Sequence, residues 1–307
     1  NTATCNTTVI VLDAIAPTMA CKNVTLNLDA SGQAILSPAQ VNNGSFDNCT
    51  LALFSLSQTN FNCAHLGNNT VVLTGTDQSS NTATCSATIT VRDLIIPVAK
   101  CKDITADLTA NGTLTLGPSH INNGSFDNCG FEMLVTPSTF NCANVGSNLL
   151  TLRATDASGN SATCTAAVMI RDVTPPNTLC KNATIYLDDS GHATLSVAQV
   201  DNGSSDACGI SAMSISQTEF NCSKLEGSAR IVTLLVKDVN NNLASCLAYV
   251  TVKDAIAPTA VCQNKTIVLA SNGTATVYGA SLAAESFDNC SVWSYAPVAK
   301  VYTSANL

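Results

Sequence analysis

Aromatic residues make up 5% of this 307-residue chain and charged residues 11%, with one Trp and three His. Each shortage excludes something. Thirteen Lys+Arg against a net charge of −8, with no basic run, leave little to hold a phosphate backbone, which argues against nucleic-acid binding. No apolar run approaches the ~18–20 residues of a membrane span. No Gly-rich phosphate loop and no HExxH occur. His65, His120 and His192 fall at three unrelated places, so no catalytic triad builds on them. No stretch shows a helical period, whereas Thr, Ser, Asn, Val and Ala dominate and suit strands and turns.

Cysteine is abundant: fifteen residues, none in a CxxC pair, which disfavours zinc knuckles and thioredoxin-like redox motifs. Wide, regular spacing points to disulfides and an oxidising, extracellular setting. Four cysteine slots recur in fixed order. The first holds Cys21, Cys101, Cys180 and Cys262, and the second Cys49, Cys129, Cys208 and Cys290. The third holds Cys63, Cys142 and Cys222, and the fourth Cys5, Cys85, Cys164 and Cys246. "SFDNC" recurs around the second slot, and an Asp followed four residues later by Pro recurs at "DAIAP", "DLIIP", "DVTPP" and "DAIAP".

A period of roughly 80 residues is too long for a solenoid unit and fits a small domain. With the Asp-to-Pro stretches as boundaries, 1–13 reads as the last strand of a preceding repeat. Residues 14–93, 94–172 and 173–254 read as complete repeats, and 255–307 as an incomplete one. The chain thus reads as a window onto a longer array. Within 14–93 the alternation in "CKNVTLNLD", "NTVVLTGTD" and "TATCSATITVRD", with turns between, predicts several short strands. The expected fold is all-β: tandem immunoglobulin-like β-sandwiches, stapled by disulfides and arranged as an extended rod.

Such thin cores need staples. If the two ends of a domain lie at opposite poles, its first and last strands run parallel and begin close together. That predicts Cys21–Cys85, Cys101–Cys164 and Cys180–Cys246. The alternative joins Cys85 to Cys101 and must fold back a mostly extended segment of up to ~50 Å. The cysteines left over predict Cys49–Cys63, Cys129–Cys142 and Cys208–Cys222, each closing a short loop worth ~3 kcal/mol. Cys290 faces Ser304 and is expected to lack a partner inside its own repeat.

The Asp-to-Pro boundary, the first-slot Cys, "DNC" and "TDxSxNxATCxAxxxVxD" together resemble the hyalin-repeat (HYR) family. The variant with "NGSFDNC" and "FNCANVG" is similar to HYR-like domains of Bacteroidetes-type cell-surface adhesins. The resemblance covers essentially the whole chain. It implies an immunoglobulin-like module, repeated, outside the cell, serving adhesion or forming a stalk. In the last repeat "AAES" replaces "NNGS" and Ser304 stands in a cysteine slot.

Acids recur at the boundary (Asp13, Asp93, Asp172, Asp254), in "DNC" (Asp47, Asp127, Asp206, Asp288) and in the loop before the last strand (Asp77, Asp156, Asp238). Asp and Asn cap turns, which needs no metal. Hard oxygen ligands on loops also suit Ca²⁺, and the candidate ligands are Asp47, Asp77, Asp93, Asp127, Asp156 and Asp172. The expected function is a structural or adhesive segment of a long extracellular repeat protein, in a surface fibre, stalk or adhesin, without enzyme activity or cofactor. Its expected partners are neighbouring repeats, like chains in a fibre, and a surface ligand. Alternatives are repeats that bind glycan or protein themselves, through Tyr186 or Trp293 for example, or accessory domains of a secreted enzyme.

Overall fold

The computed structural model describes residues 2–225, 229–283, 285–292, 294–296 and 298–306. Trp293 lies outside them. By its contacts the chain divides into two units, Asn1–Ala106 with Leu114–Arg171, and Asp107–Thr113 with Asp172–Leu307.

The first unit shows the repeated plan clearly. Six strands follow in order: β1 (Val24–Asn27), β2 (Gln33–Ile35), β3 (Leu51–Leu56), β4 (Asn60–Asn62), β5 (Gly67–Asp77) and β6 (Thr82–Arg92). One turn of helix, α1 (Pro38–Val41), lies between β2 and β3. Pro38 sits at its start, where a missing N–H costs nothing. One layer is a four-stranded sheet in the order β1-β6-β5-β3, and the other is the pair β2-β4. The fold is all-β, with tandem immunoglobulin-like sandwiches stapled by disulfides. No helix among the described residues is long and apolar enough to cross a membrane.

β1 runs parallel to β6, with Val24 opposite Ile89. β5 and β6 form a long antiparallel pair that sets Leu73 against Cys85. Period-two alternation does the rest. On β5, Val71 and Leu73 point inward; on β6, Ala87, Ile89 and Val91 do. Leu26, Leu36, Val41 and Phe61 close the core from the other elements. Of the few aromatics, Phe61, Phe140 and Phe220 are all buried, at equivalent places. Leu73, Leu152 and Leu234 are fully buried at another. The second unit repeats the sheet order with strands Ala183–Tyr186, Leu243–Lys253, Arg230–Asp238 and Ile210–Ile215.

The parallel first and last strands bring the expected staples together. Cys21–Cys85, Cys101–Cys164 and Cys180–Cys246 are all formed, with Cα separations of 5.8, 5.7 and 5.8 Å. The alternative Cys85–Cys101 link is thereby ruled out. The short-loop pairs are not formed. Cys63 is bonded to Cys129, and Cys222 to Cys290. Cys49 is a free, exposed thiol, as are Cys5 and Cys262. The expected Cys49–Cys63, Cys129–Cys142 and Cys208–Cys222 are therefore corrected, although Cys142 and Cys208 are themselves disulfide-bonded. The reason is the path of the chain. β3 and β4 are both extended and carry it away from Cys49 to the turn at Gly32. There Cys63 meets the "SFDNC" segment of the following repeat, so proximity in sequence does not become proximity in space.

Candidate functional site at the repeat boundary

Within each unit the recurring pieces of the repeats meet where one repeat hands over to the next. β6 ends at Arg92, and Asp93 follows it, 2% exposed. Its Oδ1 accepts the Ile95 N–H at 3.0 Å, an Asx turn that bends the chain into the linker. The same oxygen accepts the Asn128 side-chain amide at 3.1 Å. Asn128 also donates to the Asp29 carbonyl, 3.3 Å away in the preceding repeat. One amide therefore touches both repeats.

The next residue, Cys129, carries the disulfide to Cys63. Close approach at this seam requires glycine. Gly32 has φ +72°, and a Cβ there would stand 2.7 Å from Cys63 Sγ and 2.9 Å from the Asn128 carbonyl oxygen. The second unit repeats the device. Asn289 donates to Asp188 O and Asp254 Oδ1, Cys290 is bonded to Cys222, and Gly191 leaves room beside both.

The "SFDNC" serine is a clamp rather than a nucleophile. Ser125 Oγ accepts the Lys100 N–H at 2.9 Å and donates to the Lys100 carbonyl at 3.3 Å. Ser45, Ser204 and Ser286 do the same with Ala20, Leu179 and Val261. The Asp127 Oδ2 accepts the Cys129 N–H at 2.9 Å and holds the turn before that cysteine. Bridges Val98–Phe126 and Cys101–Asn122 then lay the linker against its own repeat.

The loop acid completes the seam. Asp156 is 6% exposed at the end of strand Gly146–Asp156. Its Oδ1 accepts the Ser158 and Asn160 N–H groups, and its Oδ2 the Asn160 amide at 2.8 Å. Asn160 also donates to the Asp93 carbonyl at 3.1 Å. Asn81 and Asn242 make the corresponding links to Asp13 and Asp172.

These turns gather carboxylates. Asp93, Asp127 and Asp156 each present an oxygen within 4.8 Å of the others, and so do Asp13, Asp47 and Asp77. Asp172 and Asp206 gather with Cys208, whose sulfur is spent in a disulfide. All six candidate ligands named from the sequence are thus in clusters. At the first seam the Ile15 N–H, the Cys49 thiol and the Asn48 amide hold the Asp13 carboxyl below its ordinary value. The Asp13 contact in turn pushes the Cys49 thiol up, ahead of burial and the charge of Asp47.

No family model matches the chain, and no curated protein matches it. Solved structures do. Drosophila N-cadherin EC1-4 is 11% identical, with 78% of this chain and 75% of that one covered, at a TM-score of 0.30. Mouse cadherin-23 EC22-24 is 9% identical, with 78% and 99% covered, at 0.29. Titin domains I67-I69 are 12% identical, with 78% and 100% covered, at 0.26. All are tandem-domain chains.

The histidines stay apart. His65 accepts the Asn62 N–H and packs edge-on to Phe61, and His120 accepts the Gly117 N–H. His192 pairs with Asn221 across a two-stranded sheet. Tyr186 is exposed on an edge strand. Sequence reasoning missed Asn128, Asn289, Gly32 and Gly191. The signal was present: "DNC" keeps its Asn at 48, 128 and 289 and gives way to Ala207 only in "SSDAC".

Proposed function

We propose that this chain is a structural and adhesive segment of a long extracellular repeat protein of HYR-like type, serving in a surface fibre, stalk or adhesin. The observation that carries this reading is the pair of disulfides, Cys63–Cys129 and Cys222–Cys290, that fasten one repeat to the next. A protein that only displays independent binding domains has no need to bolt them together. Disulfides in this number persist in oxidising compartments, which supports an extracellular location. The seam consumes the recurring polar residues of the repeat in turns and clamps, so their recurrence serves assembly of the array rather than a reaction.

The test is imaging of the intact parent assembly on its cell, with antibody raised against this chain. A surface-labelled filament with regularly spaced beads supports the reading. Label confined to the cell interior, or to a compact secreted particle, overturns it. Binding of isolated repeats across a glycan array would move the adhesive role from the array to the individual repeat.

A further inference from the structure

We propose that Asp93, Asp127 and Asp156 hold a calcium ion at the seam between repeats, and that Asp13, Asp47 and Asp77 hold another in the same way. The case rests on where the hydrogen bonds are missing. In each boundary acid one oxygen is occupied: Asp93 Oδ1 takes Ile95 N–H and the Asn128 amide, and Asp13 Oδ1 takes Ile15 N–H and the Asn48 amide. In Asp127 and Asp47, Oδ2 takes the N–H of the cysteine two residues on. The remaining oxygens, Asp93 Oδ2, Asp127 Oδ1, Asp13 Oδ2 and Asp47 Oδ1, are buried and have no hydrogen-bond partner. The same two atoms are left over at both seams.

Asp93 itself is 2% exposed. A buried carboxylate oxygen with no donor is costly, and two of them in one group of three acids are costlier. The donors to these acids are backbone N–H groups and asparagine amides, joined at Asp13 by the Cys49 thiol, all neutral groups that orient the carboxylates but do not neutralise them. A cation at the shared focus relieves both deficits at once. At the Asp93 seam the available ligands are all oxygen, with the Cys129 sulfur closed in a disulfide, and at the Asp13 seam three carboxylates stand beside the free Cys49 thiol, so carboxylate oxygen dominates both and the ion is a hard one. Loop-borne carboxylates of flexible geometry suit calcium, whereas magnesium retains several waters and demands a stricter octahedron. Asn128 Oδ1 is likewise buried without a donor, a neutral oxygen of the kind calcium accepts.

The inference does not depend on the fibre reading, because an ion at the seam would bind whatever the array does. The oxidised full chain, stripped with EDTA and dialysed, is titrated with CaCl₂ by isothermal calorimetry and melted with and without the ion. Saturating calcium is expected to raise the melting temperature by on the order of 5–10 °C. Paired substitutions Asp93→Asn with Asp127→Asn, and Asp13→Asn with Asp47→Asn, should each remove one bound ion. Asparagine keeps an oxygen for the turn N–H while discarding the charge, and the exposed Asp189→Asn serves as control. No heat and no shift in the wild-type chain overturns the proposal, whether or not any variant folds. An ion count unchanged by both pairs overturns it as well, and an equal response to magnesium overturns the assignment to calcium.

Discussion

Replacing Cys63 and Cys129 together by Ser tests the seam most directly. The bond joins residues 66 apart in sequence. In the chain-entropy model a closed loop of that size restricts the unfolded chain by about 4 kcal/mol at 25 °C. In the two-repeat unit that corresponds to a fall in melting temperature of roughly 10 °C or more. The double variant should lose this much, and reduction of the wild type should then lower its stability further, because Cys21–Cys85 and Cys101–Cys164 remain. The pairing itself is read by tryptic mapping without reductant. Cleavage after Lys22, Arg92, Lys102 and Arg153 puts Cys63 in peptide 23–92 and Cys129 in peptide 103–153. A direct link between these two peptides, through Cys63 and Cys129, is the expected product. Recovery of Cys49 bonded to Cys63 within 23–92 would refute the account of the seam, whatever the melting temperatures.

Other expectations follow from single positions. Gly32→Ala would drive a Cβ into the Cys63 sulfur and the Asn128 carbonyl at positive φ, so it should destabilise by more than 1 kcal/mol, on the order of 1–3, seen in denaturant titration. Leu152→Ala removes a fully buried side chain and should cost about 2–5 kcal/mol by the same assay, while the exposed Leu149→Ala should cost little. Asp29 is held below the ordinary 3.8 by the Ser31 hydroxyl first, then by the Gln33 and Ser31 N–H groups. Its contribution is complete above that value and is lost as pH falls through the lowered one. Melting followed from pH 6 down to about pH 2 should show this loss, and Asp29→Asn should make the acid limb shallower.

Much of the fold was legible because it rests on short-range rules. Alternation in "TATCSATITVRD" and "NTVVLTGTD" reports a half-buried strand pair directly, and the structure forms it as β5 and β6. The parallel placement of β1 and β6 followed from a global argument about domain ends, and it carried three disulfides with it. The remaining cysteines were misassigned because loop-closure reasoning rewards short separations. It does not see that β3 and β4 stretch the intervening residues out. Nor does any local rule say that Gly32 is glycine to admit Asn128 from the next repeat. Such contacts exist only between modules, and a reading confined to one module has no term for them. The acids were legible as a set through their recurrence, while the two oxygens left without donors at the Asp13 and Asp93 seams appear only in the structure.

The crossing disulfides have a mechanical consequence. A tensile load arriving at Cys63 need not travel through the following repeat from its first residue. It passes across the sulfur bridge to Cys129, inside the loop that Cys101–Cys164 closes. That second bond joins residues 63 apart and withholds about 220 Å of the about 280 Å that an unbridged repeat of roughly 80 residues would pay out. Even with every strand pulled apart, that repeat would lengthen along the bridged route by a small fraction of its contour. The cysteines then act as a leash that caps how far a loaded repeat can yield before it can refold.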